Sequence, residues 1–580
     1  MFKKFVSKKE NLLHICAVCL IFLLCCLNIR HLDHISIIED EFGYWSFAVS
    51  AVGYDWKELI AETSYYAWGY SLWLIPIAAF LPTPELWYKA AVLLNVFFLC
   101  CSYFLCYSCG KKLFPDKSKI LIGLASLVTT IYPSNVMYAQ LTWTENLKYL
   151  LMWVITYLVI ELDEKFTIRK AILFAVAAVY SYAVHASNIG LIFAGVLCFV
   201  LILLKHKKNI WHLLIFIGLI VVGYKGFEMI KSGQLTALYD NSVASNENNL
   251  SVNAGTVVNY FQKIMRQMKM FLVSLGGKYV YFLIGTGLTL PIVIVQTVKD
   301  LVGNVSQKKL FADRSISKWW CILALGMMGA LCAVSTISLG SRKDLILYGR
   351  YMESAIGPVL FLGIMYAITL VREARLGLEI AIISCMAGIF TVYYYASSAA
   401  GNYNWVCIPV ISSFFWYFTH DEKCAFLFMT LILSILAVSL LLGISIRDNK
   451  KRAGVLLMIF GLLFSVMGYQ AGLYQVNAKN RIDSETVPLR ETISGEYGDR
   501  ELYFVKNDEI DPYSMKPKYF QFLIPERPIH VITINDLAKI KDQEVLIMIN
   551  DGDDDAADIL ENDLNAEVID VSFMCVYAIK

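Results

Sequence analysis

Three adjacent carboxylates precede an aromatic segment in IIEDEFGYWSFA (37–48). Glu39, Asp40 and Glu41 come shortly after the end of a long apolar run. A carboxylate at such a place can be a solvated loop charge, a ligand for a hard cation or a general base. Because FGYWSFAVSAVGYDW is apolar and aromatic, the acids should lie at a helix start, near lipid and partly desolvated, a setting that favours proton transfer or metal binding. We therefore take Asp40 and Glu41 as candidate catalytic residues.

A further carboxylate, Glu145, lies in LTWTENLKY just before another apolar run. If Asp40 and Glu145 converge on one cleft, their oxygens could share a divalent cation such as Mg²⁺ or Mn²⁺. The alternative for Glu145 is a structural role, because a negative charge in the first turn of a helix is favoured by the helix dipole. The residue types leave both interpretations open.

Cationic side chains occur in LGSRKDLILYGRY (339–351). Arg350, with Tyr351 beside it, and Arg342 could hold a phosphate group, since the planar guanidinium matches phosphate oxygens. An arginine that anchors the chain at lipid headgroups is the alternative. A base, a possible cation and a phosphate-binding arginine together suit a transfer reaction in which a lipid phosphate leaves.

Composition indicates which elements must position these residues. Of 580 residues, 58% are apolar and only 17% charged, and the mean hydropathy is +0.57. Apolar runs long enough to cross a bilayer recur along the chain, which predicts a polytopic membrane protein. The net charge of +2 gives no reason to expect a nucleic-acid partner.

The placement of lysine and arginine predicts the topology, because basic residues in short loops stay on the cytoplasmic side. Counting spans between the basic clusters gives about 13 crossings, with the N-terminus cytoplasmic and the C-terminus outside. We read 67–81 and 406–419 as juxtamembrane or re-entrant helices on the outer face. The expected spans are 11–29, 86–109, 119–137, 146–162, 170–184, 188–204, 210–224, 279–298, 319–338, 352–371, 376–395, 424–446 and 453–472.

The candidate site residues all fall on the outer face of this topology. That face also carries a long loop, 225–278, within which 256–275 has helical spacing of cations and apolar residues. This segment suits either a helix in the membrane interface or one packed on the bundle. We expect residues 1–472 to form the membrane domain and to lie in a plasma (inner) membrane, among its lipids.

The last hundred residues, within 473–580, predict a small extracytoplasmic α/β domain. Strand-like runs at 501–506, 528–534, 544–550 and 571–579 alternate with helix-like runs at 534–541 and 555–563. The acidic run DGDDD (551–555) lacks the spacing of a helix–loop–helix calcium site and is read as a solvated turn.

The layout resembles the GT-C superfamily of integral membrane glycosyltransferases. The resemblance is carried by a D-E-x-x-Y element after the first span (Asp40, Glu41 and Tyr44), by the outer-loop acid Glu145 and by the later R-Y pair before a proline-containing span. Members of this superfamily include lipid A aminoarabinose transferases, protein O-mannosyltransferases and the oligosaccharyltransferase catalytic subunit. The chain is accordingly expected to be GT-C-like in its helical membrane domain.

The resemblance implies inverting transfer of a sugar from a polyprenyl-phosphate donor to an acceptor hydroxyl on a glycan, lipid or protein. Under it, Asp40 is the base, Glu41 and Glu145 are supporting groups or cation ligands, and Arg350 and Tyr351 contact the donor phosphate. The aminoarabinose transferases hold that phosphate with a lysine after the first juxtamembrane helix. The comparable stretch here, ETSYYAWGYSLWL, has no lysine but offers Tyr66 and Trp68, which with Tyr44 are candidate substrate contacts.

Other functions stay open at the level of sequence. A transporter or lipid flippase would call for ionisable residues at mid-membrane and an internal repeat. A non-catalytic assembly protein would tolerate replacement of Asp40. A polymerase or ligase of lipid-linked glycans would depend on arginines in a long outer loop rather than on a first-loop aspartate.

Overall fold

A computed structural model of the chain describes residues 8–36, 39–239, 262, 264–306, 311, 314–338, 346–396, 408–413, 422–512 and 514–579. Within these ranges the chain forms a helical body that carries a small five-stranded sheet near its C-terminus.

Long apolar helices build the body. They are α1 (Lys8–Cys26), α5 (Pro84–Leu113), α6 (Lys119–Thr130), α7 (Pro133–Ala139), α8 (Glu145–Glu164), α9 (Ile168–Val184), α10 (Ile189–Lys205), α11 (Trp211–Leu238), α12 (Met268–Gly285), α13 (Leu290–Ser306), α14 (Ser315–Ser338), α15 (Glu353–Thr369), α16 (Val371–Ala396), α17 (Glu422–Ser445) and α18 (Asn449–Gly495). Among the described residues, seven helices are long and apolar enough to cross a membrane, or up to nine if each bent pair is one span. The polytopic helical class is confirmed, whereas the number of about 13 crossings stays a prediction.

Twelve of the predicted spans each correspond to a helix or to the bent pair α6 and α7, which meet at 58°. The predicted span 279–298 does not form one helix, because α12 ends at Gly285 and α13 leaves it at 101°. Gly287 and Leu288 adopt φ of +53° and +64° between them, a left-handed turn that no continuous helix contains.

The predicted outer loop 225–278 is also shorter than expected. Helix α11 continues to Leu238, where Gln234 accepts a hydrogen bond from the hydroxyl of Tyr65 at 2.8 Å and Lys231 lies over the ring of Tyr65. The helix thus continues beyond its apolar part, where it contacts Tyr65 in the segment between α3 and α4. Of the predicted interface helix 256–275, residues from Met268 onward belong to α12, and most of the preceding part lies outside the described residues.

Three short helices follow the first long helix and carry the acidic motif. They are α2 (Glu39–Ala51), α3 (Lys57–Ala61) and α4 (Trp68–Phe80). Helix α4 replaces the predicted segment 67–81, and its 13 residues span only about 20 Å, less than the roughly 30 Å of a bilayer core. Most of the second predicted juxtamembrane segment, 406–419, lies outside the described residues.

The C-terminal sheet contains β1 (Glu501–Val505), β2 (Ile529–Ile532), β3 (Val545–Ile549), β4 (Glu567–Asp570) and β5 (Cys575–Ala578), in the order β2-β1-β3-β5-β4. Strand β1 pairs in parallel with β2 and β3, whereas β5 is antiparallel to both β3 and β4. The predicted α/β domain is thus confirmed, with β4 and the helix α19 (Met515–Leu523) added. Its predicted helices are a 3-10 helix over Ile534–Lys539 and the short α20 (Asp554–Asp558) followed by a π turn.

Helix α19 joins the sheet to α2, to the start of α3 and to α5. The ring of Phe522 lies against Trp45, Trp56 and Trp87, and the indole nitrogen of Trp56 donates to the carbonyl of Pro525 at 3.0 Å. These side chains belong to one buried apolar cluster that includes parts of α2, α4, α5 and the sheet. The C-terminal domain therefore packs directly on the helix that begins with the three acids.

Candidate active site

The three acids occupy the first turn of α2 and point to different neighbours. Successive residues of an α-helix are rotated by about 100°, so adjacent side chains point in different directions. Glu39 faces α19, Asp40 faces Arg350, and Glu41 faces the turn before α8. Each of the three acids therefore contacts a different part of the structure.

Asp40 and Glu145 converge on the guanidinium of Arg350. Its Nη2 donates to Oδ1 of Asp40 at 3.1 Å, and its Nε donates to Oε1 of Glu145 at 2.8 Å. The ring of Trp143 stacks on the same guanidinium, with 3.7 Å between the guanidinium carbon and the ring centroid. The side chains of Arg350 and Glu145 are buried, whereas that of Asp40 is 23% exposed. Asp40 is therefore the member of this group that a substrate can reach.

Each member of this group comes from a helix start. Arg350 begins a 3-10 turn that leads into α15, and Glu145 is the first residue of α8. Asp40 lies in the first turn of α2. Helix N-termini carry unpaired N–H groups and partial positive charge, so two carboxylates and an incoming anion are all favoured at this junction.

Glu41 is fully buried and its two oxygens accept hydrogen bonds from five donors. Oε1 accepts from the hydroxyl of Tyr88 at 2.8 Å and from N and Oγ1 of Thr142 at 2.8 and 2.9 Å. Oε2 accepts from the backbone N of Ser36 at 2.6 Å and from its hydroxyl. Through these donors, which surround both oxygens, Glu41 joins α2 to α5 and to the turn before α8, and its predicted catalytic role stays a prediction.

Two buried lysines near this junction were not singled out from the sequence. Lys148 lies three residues after Glu145, with 4.0 Å from its Nζ to Oε1 of Glu145 and 5.9 Å to the ring centroid of Tyr351. In the described part of the chain no acceptor lies within hydrogen-bond distance of this Nζ. Lys278, on α12, donates to the carbonyl of Tyr348 at 3.0 Å. The signal that could have found them is a charged residue within an apolar helix, which is costly unless it has a partner or a function.

Aromatic rings adjoin the two lysines. The ring of Tyr351 lies 4.7 Å from that of Tyr348 and 5.2 Å from that of His185, centroid to centroid. Nδ1 of His185 accepts a hydrogen bond from the backbone N of Ser187 at 3.1 Å, as a cap of the turn that precedes α10. The predicted phosphate contacts Arg350 and Tyr351 therefore lie near Lys148 and Lys278. The third predicted phosphate contact, Arg342, lies outside the described residues.

The predicted substrate contacts are divided. The ring of Tyr44 lies 5.2 Å from that of Tyr66, which itself covers Gly43, where a Cβ would meet the tyrosine ring at 1.9 Å. Gly43 is thus required by the close approach of Tyr66 to α2. Trp68 instead stacks on Phe227 of α11, with centroids 6.2 Å apart. The structure brings Tyr44 and Tyr66 next to the acids, whereas the ring contact of Trp68 is with α11.

The predicted divalent cation would have to share its ligands with Arg350. Within the described residues no group of three or more His, Cys, Asp and Glu side chains is placed to hold a metal ion. The two proposed ligands, Asp40 and Glu145, both accept from the guanidinium. Arg350 uses one oxygen of each carboxylate, Oδ1 of Asp40 and Oε1 of Glu145, so a cation bound between them would lie beside the positive charge of the guanidinium.

Comparisons with known proteins support the fold. No protein-family model matches the chain, and no curated protein matches it significantly. Among solved structures, ArnT from Cupriavidus metallidurans in the apo state matches with a TM-score of 0.54 and 13% identity, over 98% of this chain and 97% of that one. The same protein bound to undecaprenyl phosphate matches with a TM-score of 0.55 and 12% identity, over 99% of each chain. ArnT is a lipid A aminoarabinose transferase.

An oligosaccharyltransferase from Archaeoglobus fulgidus in the apo form also matches, with a TM-score of 0.44 and 8% identity, over 98% of this chain and 70% of that one. The two ArnT structures confirm the helical membrane fold with a small C-terminal sheet domain that the sequence predicted. The chain is similar to ArnT over nearly the whole length of both proteins.

Proposed function

We propose that this chain is a glycosyltransferase that moves a sugar from a polyprenyl-phosphate donor to an acceptor hydroxyl at the extracytoplasmic surface of a plasma membrane. The observation that carries the proposal is the junction of Asp40, Arg350 and Glu145, three charged side chains from separate segments at helix starts. The fold shared with ArnT, one of whose structures holds undecaprenyl phosphate, supports the donor class.

Asp40 is the base in this proposal. Its partly exposed carboxylate accepts the proton of the acceptor hydroxyl while the hydroxyl oxygen forms a bond to the anomeric carbon of the sugar. The bond from that carbon to the phosphate oxygen breaks, and the polyprenyl phosphate leaves with its electron pair. A single displacement of this kind inverts the configuration at the anomeric carbon. Arg350 fixes the orientation of the carboxylate through its Nη2.

The departing phosphate needs positive charge close to it, because it carries away the electron pair of the broken bond. Lys148 offers a buried ammonium for which the described residues provide no hydrogen-bond acceptor, and Arg350 carries five N–H donors, of which Asp40 and Glu145 each take one. We assign the donor phosphate to these two cations, with Lys278 and Tyr351 at its edge. Charges fixed in a water-poor site stabilise a developing anion more than charges in water do.

The predicted divalent cation is assigned a secondary place. If one binds, its ligands are Asp40 and Glu145, and its chemistry is to neutralise the charge that develops on the phosphate oxygens. Arg350 supplies the same neutralisation without it.

The test is sugar transfer from radiolabelled polyprenyl-phosphate sugars in membranes that hold equal amounts of wild-type or variant protein. We expect Asp40→Asn to lower the rate by roughly 10²- to 10⁴-fold, the usual contribution of a general base. Asp55→Asn is the matched control, because Asp55 is an exposed acid near the end of the same segment that accepts only a backbone hydrogen bond from Lys57 among the contacts seen.

Equal transfer by wild type and Asp40→Asn would remove Asp40 as the base. Absence of transfer by the wild type with every donor would favour the transporter or assembly-protein alternatives instead.

A further inference from the structure

The C-terminal domain places a buried lysine against the first turn of α2. Lys518, on α19, has no exposed side-chain surface. Its Nζ donates to the carbonyl of Glu62 at 2.7 Å and lies 3.8 Å from Oε1 of Glu39. The same Oε1 accepts a hydrogen bond from the backbone N of Ser64 at 2.7 Å. The start of α2, the segment after α3 and α19 are thus held together through one carboxylate and one ammonium.

A second buried lysine approaches from the other side of α2. Lys479, on the part of α18 beyond the apolar stretch, donates to the carbonyl of His34 at 2.8 Å. Its Nζ lies 3.7 Å from the ring centroid of Tyr88, whose hydroxyl donates to Glu41. The segment before α2 and the third acid of the motif are therefore also connected to the C-terminal part of the chain.

Hydrogen bonds to His34 reinforce this second contact. Its Nε2 lies 2.7 Å from Oδ1 of Asp483 on α18, and its Nδ1 lies 2.7 Å from the hydroxyl of Tyr519 on α19. Tyr519 is the residue next to Lys518. Adjacent residues of α19 thus hold the segment that enters α2 and the first residue of α2.

Burying the ammonium groups of Lys518 and Lys479 costs free energy, and contacts with their partners offset this cost. A buried ammonium is costly unless it is paired and hydrogen-bonded. Burial lowers the pKa of Lys518 to about 8, and it also raises the pKa of Glu39. Since each charge is poorly hydrated, movement of α2 away from α19 would remove the opposite charge from each group and leave Lys518 with the carbonyl of Glu62 and Glu39 with the backbone N of Ser64.

We propose that Lys518 is a positioning residue for Asp40. It holds Glu39, and because one peptide bond joins Glu39 to Asp40, it sets the place of the Asp40 carboxylate relative to Arg350. The C-terminal domain then contributes to transfer without touching donor or acceptor. Its effect on catalysis rests on the function proposed above.

The experiment compares Lys518→Met with Lys506→Met in the full-length protein. Lys506 is a matched control, because it lies in the same domain and pairs with Glu62 at 2.5 Å and with Asp508, not with α2. We expect Lys518→Met to lower kcat by at least about tenfold with little change in KM for the donor, since small misplacements of a reacting group are costly. Lys506→Met should stay within about twofold of wild type, and Lys518→Arg should restore part of the loss because it keeps the charge.

A second measurement does not depend on activity. Hydrogen–deuterium exchange of the peptide that begins at Glu39 reports whether the first turn of α2 is held, because amides exchange when their segment opens. We expect faster exchange in Lys518→Met and in Glu39→Gln, and no change in Lys506→Met. Because the two residues form one pair, the double variant should be no worse than the more severe single variant.

The outcomes separate the two proposals. If the wild type transfers sugar, and Lys518→Met has the wild-type kcat and the wild-type hydrogen–deuterium exchange of the α2 peptide, the positioning role is overturned. The glycosyltransferase proposal is then left intact. No transfer by the wild type, together with faster exchange in Lys518→Met, would refute the glycosyltransferase proposal but keep the contact between the domain and α2. A variant that fails to fold is recognised by its unfolding temperature, and Glu39→Gln then carries the same comparison.

Discussion

Replacing Glu41 with glutamine should destabilise the protein, whereas replacing its neighbour Asp40 with asparagine should chiefly stop transfer. The two acids are adjacent in sequence and carry the same carboxylate group, but their surroundings differ. Glu41 is buried among five donors, and Asp40 has one described side-chain partner and an exposed edge. Replacing the carboxylate by an amide should therefore lower the stability at Glu41 and the rate of transfer at Asp40.

The magnitude follows from the donors around Glu41. A glutamine has one oxygen, which can keep the three donors now on Oε1, from Tyr88 and Thr142. Its NH₂ group then faces the backbone N–H of Ser36, which loses its acceptor. A lost hydrogen bond to a charged group costs about 1.5–3 kcal/mol, and a buried N–H left unpaired adds about 1–3 kcal/mol. Removal of a buried charge offsets part of this, so we expect a net loss of about 3 kcal/mol.

The assay is thermal unfolding in detergent, followed by the reaction of a fluorogenic reagent with cysteine thiols that unfolding exposes. The described chain supplies buried thiols for this purpose, among them Cys25, Cys106, Cys109 and Cys198. The unfolding temperature of Glu41→Gln should fall by about 2–3 °C, while Asp40→Asn should stay within about 1 °C of wild type. Glu41→Gln with an unchanged unfolding temperature and lost transfer would refute this reasoning and place Glu41 in the chemistry.

Three further changes test other parts of the site. Arg350→Lys keeps the charge but cannot reach both carboxylates with a planar fork, so kcat in the transfer assay should fall by roughly 10²-fold, and a fall below twofold would argue against this geometry. Burial lowers the pKa of Lys518 from 10.5 to about 8. Between pH 8 and pH 10.5 the unfolded chain therefore binds more protons than the folded chain. The free energy of unfolding should rise with pH across this window, by about 3 kcal/mol at most. Thermal unfolding at pH 7.5 and 9.5 measures this rise, which should be smaller in Lys518→Met; equal rises would contradict it. Because Arg350 already meets Asp40 and Glu145, EDTA should lower transfer by less than about twofold, whereas loss reversed by Mg²⁺ or Mn²⁺ would support the cation.

Apolar runs predicted most of the helical body, because a segment that crosses lipid must be long, apolar and helical. They failed at the break between α12 and α13, where GTGLTLP is apolar on both sides. The left-handed turn at Gly287 and Leu288 leaves no trace in hydropathy, although the two glycines and the proline are turn signals that could have indicated it.

The site was predicted in part. Asp40, Glu145 and Arg350 were expected on the same face and lie in contact, because each belongs to a segment beside a helix start on the outer side of the predicted topology. The role of Glu41 was not predictable, since Tyr88 and Thr142 are distant in sequence and a hydrogen-bond pattern across elements leaves no spacing to read. The catalytic and substrate-binding roles remain predictions.

The boundary expected at 472/473 was inferred from a change in polarity. In the structure α18 passes through it without interruption, from Asn449 to Gly495. The change in polarity therefore coincides with the end of the apolar stretch rather than the end of the helix. Polar residues past this point, such as Lys479 and Asp483, contact the segment before α2 instead of forming a linker.

The length of α18 sets both the rotation of the C-terminal sheet about the helix axis and its distance along that axis from the apolar stretch. Its 47 residues would span about 70 Å if the helix were straight, more than twice the roughly 30 Å of a bilayer core, and Pro488 lies inside its last turns. The sheet is therefore joined to the helical body by a continuous helix rather than by a loop. Insertion of one residue into α18 beyond its apolar stretch would rotate the sheet by about 100° about the helix axis. Insertion of seven residues would nearly restore the original orientation and move the sheet about 10 Å along the axis. The number of residues in α18 therefore helps to set the orientation of the C-terminal sheet relative to the helical body.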